Sequence, residues 1–154
     1  MINKEIQIYT DGSSLGNPGP GGWGTVVVVE GKIVDELGGN DKDTTNNRME
    51  LQAVIEALKH IHKHHKENIV KIHADSSYVL NGITIWIFGW EKNGWRTANK
   101  KTVMNQELWK ELIKLVREFK GKIIWQKVKG HSGHVYNDKA DEIATMYAAK
   151  QKRN

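Results

Sequence analysis

Four carboxylates far apart in the chain have the types and spacing to do chemistry: Asp11, Glu50, Asp75 and Asp141. Asp11 and Asp75 each close a run in which apolar and polar residues alternate, Ile6 to Thr10 and Ile69 to Ala74, so each ends a predicted strand. Glu50 falls in the first turn of a predicted helix, and Asp141 in the first turns of the last one, bordering its apolar stripe. If the strands of Asp11 and Asp75 are neighbours, these acids converge at one end of a sheet, where open α/β folds bind ligands. Crowded carboxylates raise each other's pKa, and a divalent cation relieves that repulsion. Oxygen donors without cysteine suit Mg²⁺ or Mn²⁺. Two such ions about 3.5–4 Å apart can activate a water and stabilise the leaving oxygen of a phosphoryl displacement. Each acid also has a plain structural use. Asp11 can open a turn, and Asp75-Ser76-Ser77 can cap a helix. Glu50 stands three residues after Asn47, as in a capping box, and Asp141 and Glu142 suit a helix N-terminus. Their joint occurrence is what points to a site.

Three further stretches carry chemistry-bearing residues. The run Gly12 to Gly22 follows Asp11 with little side-chain bulk, leaving room for a ligand near the backbone; it lacks the spacing of a nucleotide-binding loop. His60, His62, His64 and His65 close the first helix. No carboxylate or orienting partner is evident beside them, so they read as a solvated helix end rather than a metal site. Between Glu91 and Met104, Lys92, Arg96, Lys100 and Lys101 interleave with Trp95. Such a basic, aromatic stretch suits a polyanion backbone.

At 154 residues the chain reads as one domain able to bury a substantial core. Its net charge of +5 points modestly toward polyanions. It has no cysteine, no apolar run long enough to cross a membrane and no apolar core of a signal peptide at its start. A cytoplasmic protein is the expectation.

The elements that must position the acids follow in order. Strands are predicted up to Asp11, over Trp23 to Glu30 and over Ile33 to Leu37, with Gly38 to Asn47 a loop. A helix starts within Thr44 to Asn47 and carries Leu51, Val54, Ile55, Leu58 and Ile61 on one face. The strand Ile69 to Asp75 precedes two short helical pieces, Ser76 to Gly82 and Thr84 to Trp90. Asn105 caps a helix with Leu108, Trp109, Leu112, Ile113, Val116 and Phe119 inward. The last strand is Ile123 to Val128, and a final helix from Asn137 buries Ala140, Ile143, Ala144, Tyr147 and Ala148. The predicted class is α/β, with an antiparallel start, βαβ crossovers and helices on the faces of a mixed sheet.

Several blocks together resemble bacterial ribonuclease HI, the type 1 ribonuclease H family. They are Thr10-Asp11-Gly12-Ser13, Gly16 to Gly22, Thr44 to Leu51, Asp75-Ser76, Gly82-Ile83-Thr84, Trp86, Trp90 and Val128 to His134. The resemblance runs over nearly the whole chain. It implies a ribonuclease H-like fold, a five-stranded mixed sheet of three antiparallel and two parallel strands flanked by helices. It implies a single domain over 1–154, with a basic protrusion at about 89–104 and a frayed tail at about 150–154. It implies metal-dependent endonucleolytic cleavage of the RNA strand of an RNA–DNA hybrid, leaving 3′-hydroxyl and 5′-phosphate ends. A non-catalytic hybrid-binding domain of the same fold is the alternative, and an integrase- or resolvase-like phosphoryl-transfer enzyme a further one. Asp11, Glu50, Asp75 and Asp141 match the family's metal ligands, with Asp138 a nearby decoy, and His131 matches a loop histidine assisting proton transfer or product release. Asn17, Asn46 and Asn47 match residues contacting the minor groove, where amides suit 2′-hydroxyls and base edges. Trp86 and Trp90, with Tyr78, match a DNA-strand channel, and Thr45 and Asn105 a DNA-phosphate pocket. Asp43 stands where many relatives carry a basic residue, and Ser77 where a longer amide is usual. The implied cofactor is Mg²⁺, two ions per site, with Mn²⁺ as substitute. The implied partner is the hybrid, and the expected state a monomer.

Overall fold

The computed structural model describes residues 4–128 and 134–153. Five strands form one sheet: β1 (Ile6–Ser14), β2 (Gly19–Val29), β3 (Lys32–Thr44), β4 (Ile69–Ala74) and β5 (Lys122–Lys127). Their order is β3-β2-β1-β4-β5, with β1–β2 and β2–β3 antiparallel and β1–β4 and β4–β5 parallel. The helices are α1 (Asn46–His64), α2 (Ser77–Asn81), α3 (Ile87–Lys92), α4 (Gln106–Glu118) and α5 (Val135–Arg153), with a π-helical turn, Gly82–Trp86, joining α2 to α3. No helix among the described residues is long and apolar enough to cross a membrane.

The alternation in the central strand decides the layers. Ile6 and Ile8 of β1 join Ile72 of β4, Leu51, Val54, Ile55 and Leu58 of α1, and Trp109 and Leu112 of α4 in the main core. Tyr9, Val26 and Val28 face the opposite side and pack on Ala140 and Ile143 of α5. Burying such residues is worth about 1.5–3 kcal/mol per large side chain, so both faces hold the sheet. The protrusion is tied down by Arg117 of α4, whose guanidinium donates to both carboxylate oxygens of Glu91 at 2.5 and 2.6 Å. Lys110 also sits 5.4 Å above the Trp95 ring, a cation–π contact.

Four expected boundaries are corrected. β1 does not stop at Asp11: Gly12, Ser13 and Ser14 continue the ladder opposite Trp23, Gly22 and Gly21. Likewise, β2 starts at Gly19 and β3 runs to Thr44 through a predicted loop. These segments are rich in Gly, Ser, Asn and Asp, which strands disfavour by composition, but pairing supplies their backbone partners. Gly24 shows why small residues stand there, since a Cβ on it would collide with the Ala140 carbonyl of α5. At the other end of the chain, α5 begins at Val135, two residues before Asn137, and runs to Arg153.

Candidate metal and nucleic-acid site

Asp11 sits where β1 loses its parallel neighbour. The β1–β4 ladder ends at Thr10 opposite Ala74, while the β1–β2 ladder continues past Asp11. Asp75 is the next residue after β4. The two acids thus lie side by side at one end of the sheet. Glu50 arrives from α1, whose first turn lies against β1 at Gly12: a Cβ there would run into the backbone of Met49 and Glu50. Gly12 N–H is shared between the two acids, donating at 3.0 Å to Asp11 Oδ1 and at 3.0 Å to Glu50 Oε1. The result is a triad, Asp11, Glu50 and Asp75, with donor oxygens within 4.8 Å of one another.

The electrostatics match that crowding. Burial pushes the Asp11 carboxyl up to about 7; a hydrogen bond with Glu50 opposes this, and the charges of Asp75 and Asp141 add to it. Burial, then the neighbouring Asp11 charge, raises Glu50 well above the carboxylate range, against the pull of Gly12 N–H. Asp141 is exposed on α5 and outside the tight triad, but near enough to act on Asp11. Glu50 Oε2 is buried without a hydrogen-bond partner among the described residues. A clustered set of hard oxygen donors, one of them unpartnered, fits a hard divalent cation.

The plain structural uses of these acids are not the ones adopted. Thr45 caps α1, its hydroxyl accepting Arg48 N–H at 3.2 Å, and Glu50 turns to β1 instead of closing a capping box with Asn47. Ser76, not Asp75, caps α2, accepting Val79 N–H at 3.2 Å. Asp138 occupies the first turn of α5, and Asp141 comes one turn later. His131 lies outside the described residues.

Beside the acids, Asn17, Thr45, Asn46, Asn47, Tyr78 and Asn105 line one pocket of about 280 Å³ together with Met104. Asn46 accepts Ser14 N–H at 2.8 Å, fastening the end of β1 to the start of α1. Asn105 precedes α4 in the left-handed region (φ 60°) and makes no side-chain cap. Its amide instead donates to the Tyr78 hydroxyl at 3.1 Å, and its oxygen accepts from Arg48 Nη1 at 3.1 Å. The two channel tryptophans separate. Trp86 is 39% exposed, whereas Trp90 packs against the main core, 5.3 Å from the Trp109 ring. Trp86 and Trp90 nevertheless lie 6.0 Å apart, and Tyr78 lies 6.1 Å from Trp86, so the three form a continuous aromatic row.

One neighbour of the site carries no motif that could have found it. Lys127, at the end of β5, donates to the Asp75 carbonyl at 2.8 Å and to the Ser77 hydroxyl. Nothing in the spacing of a lone lysine marks it. Sequence periodicity places β5 beside β4 only through the fold.

Comparison with known proteins agrees with this architecture. A family model described as RNase H matches residues 3–149. Ribonuclease H of Mesorhizobium japonicum is 50% identical over 144 residues, 93% of this chain and 77% of that protein. Ribonuclease HI of Neisseria meningitidis serogroup B is 48% identical over 149 residues, 97% of this chain and 99% of that protein. Among solved structures, LC9-RNase H1, a type 1 RNase H with the type 2 active-site motif, superposes with a TM-score of 0.85 at 33% identity, covering 98% of this chain and 75% of its own. LC11-RNase H1 in complex with RNA/DNA hybrid superposes with a TM-score of 0.74 at 25% identity, covering 94% and 97%. The chain belongs to the RNase H family.

Proposed function

We propose that this protein hydrolyses the RNA strand of RNA–DNA hybrids endonucleolytically, leaving 3′-hydroxyl and 5′-phosphate ends, with Asp11, Glu50, Asp75 and Asp141 holding Mg²⁺. The observation that carries the reading is the triad of donor oxygens within 4.8 Å, flanked by the amide-lined pocket. When bound, two divalent cations supply Lewis acidity at the scissile phosphate and offset its developing charge. Mn²⁺ meets the same oxygen donors and is the natural substitute.

The chain's own residues do the rest. Gly12 N–H fixes one oxygen each of Asp11 and Glu50, so two of the three acids are oriented before substrate arrives. Asn46 and Asn47 stand on α1 one turn before Glu50, and Asn17 faces the same pocket. Their amides donate and accept, as reading 2′-hydroxyls and base edges in a wide, shallow groove requires. Thr45 and Asn105 offer a hydroxyl and an amide to a DNA phosphate. Trp86 presents a ring face to the deoxyribose strand, with Trp90 and Tyr78 behind it. His131 takes the proton-transfer or product-release role.

Cleavage of a labelled RNA–DNA hybrid in Mg²⁺, run beside duplex DNA and duplex RNA, tests the reading. Hybrid alone should be cut, in the RNA strand, and Asp11→Asn should abolish cutting. Preferential cutting of duplex DNA, or full activity in Asp11→Asn, would overturn it.

A further inference from the structure

The histidine tract closing α1 acquires in the fold the carboxylate that the sequence around it lacks. His60 and His64 are spaced i, i+4 and share a helix face; their rings are 4.6 Å apart. His65 follows as the C-terminal cap, its N–H held by the Ile61 carbonyl at 2.9 Å. Its ring lies 5.6 Å from His60 and 6.4 Å from His64. From the edge strand β3, Asp35 brings Oδ2 to 3.7 Å from His60 Nδ1. That carboxylate is itself oriented, because Asp35 Oδ1 accepts Glu36 N–H at 3.0 Å. Val34, Asp35, His60, His64 and His65 surround one cavity of about 190 Å³.

We propose that His60, His64 and His65, with Asp35, form a second cation site, one for a borderline transition-metal dication such as Zn²⁺. Imidazole nitrogens suit Zn²⁺, Ni²⁺ and Cu²⁺ and suit Mg²⁺ poorly. The site is therefore chemically distinct from the carboxylate centre at the other end of α1. An i, i+4 histidine pair on a helix is a recurrent zinc-binding arrangement. Asp35 Oδ2, 3.7 Å from His60 Nδ1 and beyond hydrogen-bond reach of it, offers the set a carboxylate oxygen beside the imidazole nitrogens. Neutral imidazole is the ligating form, and burial, followed by the neighbouring His64, lowers the pKa of both His60 and His65. Among the described residues only the carboxylate triad already has donor atoms within 4.8 Å, so the imidazole set closes by side-chain rotation. His64 is exposed and His65 half-buried, which leaves them room to turn. Nearby Lys59 is occupied by Glu56 and Glu111 at 3.3 and 3.2 Å. The charge of Lys63, which acts on His60, opposes binding.

The test is titration of the whole protein with Zn²⁺ in excess Mg²⁺, followed by the imidazole proton resonances and by calorimetry. The His60, His64 and His65 resonances should shift together. His64→Ala and His65→Ala, both outside the core, should each weaken this binding about 10-fold or more, with Asp35→Asn weakening it too. Their Mg²⁺-supported hybrid cleavage should match the parent, and circular dichroism would show that they fold. Unmoved imidazole resonances would overturn the proposal. So would unchanged Zn²⁺ affinity in both histidine variants, because the ion would then sit on the carboxylates.

Discussion

Asp11 is buried beside two other acids with one shared N–H between it and Glu50. Burial first, then the charges of Asp75 and Asp141, hold its carboxyl up to about 7 from 3.8. The sign of the resulting linkage is fixed. A carboxyl whose folded pKa is raised binds more protons folded than unfolded between those two values. Stability of the cation-free protein therefore falls as pH rises from about 4 to about 7, and the loss is complete above that. Asp11→Asn removes the titration. At pH 8 without metal it should be more stable than the parent by about 1–3 kcal/mol, with the gain shrinking toward zero near pH 4. Thermal or urea unfolding across that range measures it. Mg²⁺ should raise the parent's melting temperature more than the variant's. A variant less stable than the parent at pH 8 would make Asp11 a structural group and not a ligand.

Among the elements, the contact of α1 with β1 at Gly12 places Glu50. Gly12→Ala forces a Cβ into the backbone of Met49 and Glu50. Neither can move without lifting the helix, so the expected cost is about 2–3 kcal/mol. A lower urea midpoint with an unchanged m-value would show it, and Mg²⁺ affinity should fall with it as Glu50 is displaced. An unfolding free energy within about 0.5 kcal/mol of the parent, the scale of an ordinary surface change, would mean that the helix is not seated on that glycine. The same junction marks how far the sequence was legible. Element types and order followed from periodicity, because Ile6, Ile8, Val70 and Ile72 alternate and Leu51, Val54, Ile55 and Leu58 recur at helical spacing. The family followed from dense motifs, and of the four acids they pointed to, Asp11, Glu50 and Asp75 meet in the fold while Asp141 stands outside the triad. Strand ends did not follow, since Gly12 to Ser14 and Gly38 to Thr44 carry turn chemistry and are held extended only by their neighbours. Asp35 beside His60 was equally hidden: a contact between an edge strand and a distant helix end leaves no local trace.

The molecule as a whole carries +5, unevenly placed for a polyanion. Lys92, Arg96, Lys100 and Lys101 are all exposed on the protrusion. Around the amide-lined pocket the balance is poorer. Arg48 is engaged by Glu107 at 2.8 Å, and Asp43, exposed at the end of β3, stands two residues before Thr45 of the pocket wall. A phosphate approaching Thr45 therefore meets a negative side chain nearby. Each phosphate neutralised by a lysine releases counterions, and the slope of log affinity against log salt counts such contacts. Asp43→Lys should bind hybrid more tightly at low salt, with a slope steeper by about 0.7–0.9 for one added phosphate contact. It should leave Mg²⁺-dependent turnover at saturating hybrid near the parent value, because the substituted residue is not part of the carboxylate triad. Fluorescence anisotropy with a labelled hybrid in Ca²⁺, over a series of salt concentrations, measures the slope. A parallel pair of lines displaced only in height would mean that the lysine acts through the general field and not on one phosphate. A shallower slope would put the hybrid's path away from Thr45 altogether.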